Sequence, residues 1–82
     1  MELNEKITVA AVFPPGGIRP AWFVWRGRKY AVSEVAYAWE SSEGLAGLRH
    51  FSVVSGANVY ELSYNTLECA WKMRGVEQDW RG

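Results

Sequence analysis

His50-Phe51-Ser52-Val53-Val54-Ser55-Gly56-Ala57-Asn58-Val59-Tyr60-Glu61-Leu62-Ser63-Tyr64 is the stretch that decides the fold. Apolar and polar residues alternate on both sides of a Ser-Gly-Ala-Asn connection. Side chains of a strand point in turn to its two faces, so a period of two broken by turn residues reads as a β-hairpin. Placing Val54 against Val59 sets Val53 opposite Tyr60 and Phe51 opposite Leu62. One face is then apolar, while His50, Ser52, Glu61 and Ser63 share the other. A further turn at Asn65-Thr66 extends the pattern. It sets Tyr64 against Leu67, Leu62 against Cys69 and Tyr60 against Trp71. The two turns agree on one buried face, which also takes in Met73. This agreement predicts an antiparallel meander packed on one side.

Working outward, Lys6 to Phe13 alternates with Ile7, Val9, Ala11 and Phe13 on one face. Pro14-Pro15-Gly16-Gly17 ends that strand, because proline has no N–H for a ladder and glycine favours turns. Arg19 to Arg26 follows, with Pro20 near its start. Gly27 at the first loop position predicts a two-residue type II′ turn, Gly27-Arg28. That register pairs Trp25 with Tyr30 and Phe23 with Val32, and sends Trp22, Val24, Arg26, Lys29, Ala31 and Ser33 to the opposite face. Val35, Tyr37 and Trp39 have the wrong parity to follow Tyr30 and Val32 into the core. A bulge or bend near Ser33 and Glu34 would restore it, and a bend there is what a small curled sheet needs. Ser41 to Gly47 reads as a loop. The expected fold is therefore all-β: an antiparallel meander of five or six strands, either a strongly twisted sheet or a small partly open barrel. The expected organisation is a single domain over 1–82, with an ordered core from about residue 6 to 74 and a tail at 75–82 that contains Trp80.

Composition narrows the class. The chain has 82 residues, nine basic and nine acidic side chains, five Trp, four Tyr and three Phe. One domain fits that length. Hydrophobic residues make up 49%, which excludes a disordered chain. The single Cys cannot form an intrachain disulfide, so the expected compartment is reducing and cytoplasmic. No run approaches the ~20 apolar residues of a membrane span, and Met1-Glu2-Leu3-Asn4-Glu5 lacks the layout of a signal peptide.

Catalytic and metal chemistry find little purchase. Zinc needs about four ligands, and only His50 and Cys69 are of suitable type. The register above places them on opposite faces, Cys69 as a small core residue and His50 towards solvent. No Gly-x-Ser-x-Gly elbow and no phosphate-loop Lys-Ser/Thr is present. No cofactor and no enzymatic activity are expected.

Charge is distributed unevenly. Lys6 to Ser33 holds five basic residues and no acid, so the remainder holds four basic and nine acidic residues. Arg26, Arg28 and Lys29 meet at one hairpin tip, and Trp22 projects from the non-core face of the same hairpin. Guanidinium and ammonium groups hold phosphates, and an aromatic ring stacks a base. Trp22, Arg26, Arg28 and Lys29 are thus the candidate nucleic-acid-binding residues. The alternative is a protein-interaction or homodimerising β domain that uses a sheet edge or an aromatic groove.

Phe23-Val24-Trp25-Arg26-Gly27-Arg28-Lys29-Tyr30-Ala31-Val32, followed by Trp39, Phe51-Ser52-Val53, Tyr60-Glu61-Leu62 and Trp71, resembles a family of small Trp-rich bacterial domains of unknown function. The similarity covers Ile18 to Met73, and Trp-Arg-Gly-Arg-x-Tyr is its most specific piece. Similar domains lie in or near mutagenesis proteins related to Y-family DNA polymerases. The resemblance implies a bacterial, cytoplasmic, non-catalytic module in a DNA-repair setting. Charge, composition and resemblance together give the expected partners: a single-stranded nucleic acid or a DNA-repair protein, with no membrane.

Overall fold

The computed structural model of the chain describes residues 2–78. Trp80 lies outside them. Seven strands follow in order: β1 (Glu2–Val12), β2 (Arg19–Trp25), β3 (Arg28–Ala31), β4 (Glu34–Glu43), β5 (Ala46–Ser55), β6 (Asn58–Asn65) and β7 (Ala70–Gln78). All pairings are antiparallel, and the sheet order is β3-β2-β1-β7-β6-β5-β4. The edge strands β3 and β4 are consecutive in the chain, joined through Val32 and Ser33. The Val32 amide donates to the Ala21 carbonyl at 2.9 Å and the Ser33 amide to the Val54 carbonyl at 2.8 Å. Two residues can link opposite edges only if the sheet curls, and it forms a half-barrel.

The strand count exceeds the expected five or six because the segment after Gly27 bends at Val32-Ser33 and splits into β3 and β4. The bend sits where the parity argument asked for one. The bulge does not: it falls at Ala36, between the pairs Val35↔Val53 and Tyr37↔Ser52. That extra residue turns Tyr37 and Trp39 to the outer face, where they are 73% and 42% exposed. Ser41 to Gly47 is likewise no loop. β4 and β5 run together as far as Glu43↔Ala46, and only Gly44-Leu45 turns, with Gly44 at φ 60°.

Phe23, Trp25, Phe51, Val53, Tyr60, Leu62, Trp71 and Met73 form the core. The β5–β6 register is the one read from the sequence, with Val54↔Val59, Val53↔Tyr60 and Phe51↔Leu62. The β6–β7 hairpin differs. Tyr64 pairs with Trp71 and Leu62 with Met73, across a loop of Thr66, Leu67, Glu68 and Cys69. A two-residue Asn-Thr turn of type I′ would demand positive φ from a β-branched Thr. The longer loop avoids that, and Asn65 closes it. Its Oδ1 accepts from the Leu67 and Glu68 amides, each at 2.9 Å, and its carbonyl accepts from the Cys69 amide at 2.7 Å. Cys69 takes φ 56°. Leu67 and Cys69 are therefore exposed loop residues and not core. Trp71 and Met73 stay inside because the slip, from Leu67 to Trp71 opposite Tyr64, is an even number of residues.

The β2–β3 hairpin shows the same kind of correction. Trp25 pairs with Arg28 and Phe23 with Tyr30, so the loop is Arg26-Gly27. Both loop residues have positive φ, 51° and 76°, the signature of a type I′ turn and not II′. Type I′ matches the right-handed strand twist. Phe23 stacks on Tyr30 with centroids 5.1 Å apart and meets the edge of Tyr60 at 5.2 Å, tying β2 and β3 to β6 across the curl. At the chain ends the strands outrun the expected core. β1 begins at Glu2, and residues 75–78, read as tail, complete β7.

Candidate nucleic-acid interface

The hairpin tip divides the four candidate residues. Arg26 turns back to the sheet. Its Nη2 lies 2.6 Å from Glu5 Oε2, its Nε donates to Oε1 at 3.2 Å, and its guanidinium covers the Trp25 ring at 4.6 Å. The Trp25 indole N–H donates to the same Glu5 Oε1 at 2.9 Å. These donors, with Arg26 the larger influence, hold the Glu5 carboxyl below its usual range. Arg26 thus forms an exposed ion pair between the neighbouring strands β1 and β2, with a carboxylate already in place as its partner.

Trp22 and Lys29 do share the outer face, as alternation requires, since Trp22 pairs with Ala31 and Lys29 with Val24. Trp22 is half-buried, and the Lys29 ammonium sits over its ring at 4.4 Å. One face of the indole is therefore covered by a cation in the free protein. Arg28, at the end of β3, is exposed.

Strand pairing brings in cations that no local pattern connects. Lys6 on β1 lies directly opposite Lys72 on β7, so both ammonium groups leave the same face. Arg74 follows on β7 at a bulge and donates from Nη1 to Asn4 Oδ1 at 3.3 Å. Among the described residues the ion pairs are Arg26–Glu5 and Arg49–Glu40. Lys6, Arg28, Lys29, Lys72 and Arg74 have none. Like charges directly opposite across a ladder are destabilising, and among the described residues neither lysine has an ion-pair partner.

The same register row continues across the sheet: Lys72↔Ser63, Ser63↔His50, His50↔Trp39. His50 was expected towards solvent. It is only 7% exposed, because the Trp39 ring stacks on it at 5.1 Å and 9°. Ser41 Oγ and His50 Nε2 lie 2.7 Å apart, while Nδ1 is buried without a partner. A nucleophile–base pair needs a third group to orient the imidazole, and none is present here among the described residues. Burial lowers the His50 pKa, Arg74 lowers it further, and Glu61 opposes.

Lys6 and Lys72 were missed by sequence reasoning. They lie far apart in the chain, and the β1–β7 pairing that unites them closes the first strand on the last. Among the described residues no group of three or more His, Cys, Asp or Glu is placed to hold a metal ion. No helix among them is long and apolar enough to cross a membrane. No family model matches the chain, and neither a curated protein nor a solved structure does.

Proposed function

We propose that the chain is a non-catalytic binding module whose outer face, across β3, β2, β1 and β7, holds a single strand of nucleic acid. The observation that carries this reading is the direct Lys6–Lys72 opposition with no acid between. A phosphate placed there relieves the repulsion, so the cost borne by the free protein is recovered on binding. Lys29 continues the cationic surface towards the hairpin, while Arg28, opposite Trp25, lies at the tip on the other face. A base that displaces the Lys29 ammonium from Trp22 stacks on the indole and frees the ammonium for a phosphate. Lone cationic contacts carry no base readout, so binding is weak and sequence-tolerant. A single unpaired Cys and a polyanionic ligand fit a cytoplasmic setting, and the resemblance to domains near mutagenesis proteins fits a DNA-repair one.

The test is a titration with a labelled oligo-dT strand at several salt concentrations. Phosphate contacts release counterions, so affinity should fall steeply as salt rises. Lys6→Glu should weaken binding and flatten the salt slope by about one. The same change replaces a Lys–Lys pair by Glu–Lys, so the melting temperature should rise. Lys72→Glu should weaken binding as Lys6→Glu does, Arg28→Glu on the other face should leave it largely intact, and Trp22→Ala should cost about 1–3 kcal/mol per stacked base lost. Binding insensitive to salt, or no binding at low salt, overturns the reading.

A further inference from the structure

We infer that two copies of this chain pair through β4, antiparallel, on a two-fold axis at Trp39. β4 ends the sheet, so one whole side of a ten-residue strand offers unpaired amides and carbonyls. Natural edge strands are guarded by charged side chains, lysine above all, by proline, shortness or a bulge, and the charges of β4 are three glutamates. β4 has neither Lys nor Pro, and its bulge at Ala36 leaves Tyr37 to Glu43 regular. In the middle of that edge stand Tyr37 and Trp39, both exposed on the outer face.

The sequence of β4 selects the partner and the register. Opposed residues of an antiparallel pair share a face, so a two-fold must set each position against one of the same parity. An axis at Tyr37 sets Glu34 against Glu40. An axis at Glu40 sets that residue against itself. An axis at Ala38 runs Glu40 into the bulge at Ala36, which stops the ladder early. An axis at Ser41 sets Trp39 against Glu43 and leaves Tyr37 uncovered. The axis at Trp39 alone brings the two indoles together, pairs Tyr37 with Ser41 and Ala38 with Glu40, and opposes no two acids. Each Glu40 already has Arg49 at 3.4 Å. Each Trp39 is already stacked on His50, so the two indoles meet as rings held in place before association. The glutamates thus disfavour the axes at Tyr37 and Glu40, the bulge shortens the one at Ala38 and the one at Ser41 leaves Tyr37 uncovered, so the axis at Trp39 remains as the self-complementary pattern that a second copy satisfies.

The test is the solution mass of the full chain by light scattering or sedimentation between 10 and 500 μM. The expected value is twice the 9.3 kDa of one chain. Trp39→Glu, which sets acid on acid at the axis, should weaken the dimer at least tenfold. A crosslink keeps the inference testable should that variant not fold. In a Cys69→Ser background, Tyr37→Cys with Ser41→Cys should form a reducible covalent dimer under mild oxidation. Either cysteine alone should not, because only the pair is opposed. A chain that stays monomeric to 500 μM overturns the inference. So does a dimer that Trp39→Glu leaves intact and the cysteine pair does not capture. None of these changes touches Lys6, Arg28, Lys29 or Lys72, so oligo-dT binding by the monomeric variant separates this outcome from that of the nucleic-acid reading.

Discussion

Replacing Phe23 tests how the curl is held. Phe23 is 0% exposed and makes the shorter of the contacts by which β2 touches Tyr30 and Tyr60, at 5.1 and 5.2 Å against 6.1 and 6.2 Å from Trp25. Removing a fully buried aromatic costs about 3–5 kcal/mol. A chain of this length has on the order of 4–12 kcal/mol of stability in all, so Phe23→Ala should unfold much of the population. Phe23→Leu is the more informative change. It keeps the apolar burial and deletes two ring–ring pairs, each worth about 0.5–1.5 kcal/mol beyond area. The expected loss is about 1–3 kcal/mol. With a urea m-value on the order of 1 kcal/mol/M for a small domain, the midpoint should fall by about 1–3 M with m unchanged. A double-mutant cycle with Tyr30→Leu isolates the stacked pair, and its coupling should be about 0.5–1.5 kcal/mol. A coupling of zero would refute the Phe23↔Tyr30 register and with it the type I′ turn that sets it.

Other consequences follow from the turns and the titrating groups. Gly27→Val should destabilise by about 1–3 kcal/mol, because φ 76° is hostile to a β-branched residue although open space surrounds the site; an unchanged urea midpoint would contradict this. Asn65→Ala removes the acceptor for the Leu67 and Glu68 amides and should cost about 1 kcal/mol by chemical denaturation. His50 has a folded pKa below its unfolded value near 6.5, so the unfolded state binds its proton first. Stability should therefore be full above that value and decline as pH falls towards the folded pKa, and His50→Gln should flatten the melting-temperature profile there. Glu5 also has a lowered pKa, so the stability it confers is present above its ordinary value of 4.5 and lost as pH falls through the folded one. Glu5→Gln should remove that more acidic part of the profile and leave the His50 part in place.

The legible and illegible parts of this molecule divide along sequence distance. The β5–β6 hairpin was readable to the residue, because both strands, their turn and the alternation lie within one short stretch. The hairpins at Gly27 and Asn65 were readable in facing but not in register. Facing depends only on parity, and each slip was even. Register depends on which loop conformation is cheapest. At these turns Asn65 Oδ1 accepts from two amides, and the loop residues Arg26 and Gly27 both take positive φ, conformations that the local alternation does not specify. Of the candidate site, Trp22 and Lys29 share the outer face as parity required, while Arg26 was lost to Glu5, which comes from another strand.

By itself the amino-acid order determined an all-β chain, an antiparallel meander and the identity of most core residues, because period-two burial is a local property of each strand. Three things were decided only by the tertiary structure. The pairing of β1 with β7 made neighbours of Lys6 and Lys72, through a contact that no alternation encodes. The bulge at Ala36 put Tyr37 and Trp39 on the outer face, since one extra residue inverts every side chain after it. The stacking of Trp39 over His50 then buried an imidazole whose own strand pattern pointed it at water, because burial is set by what lies on a face and not by the face alone.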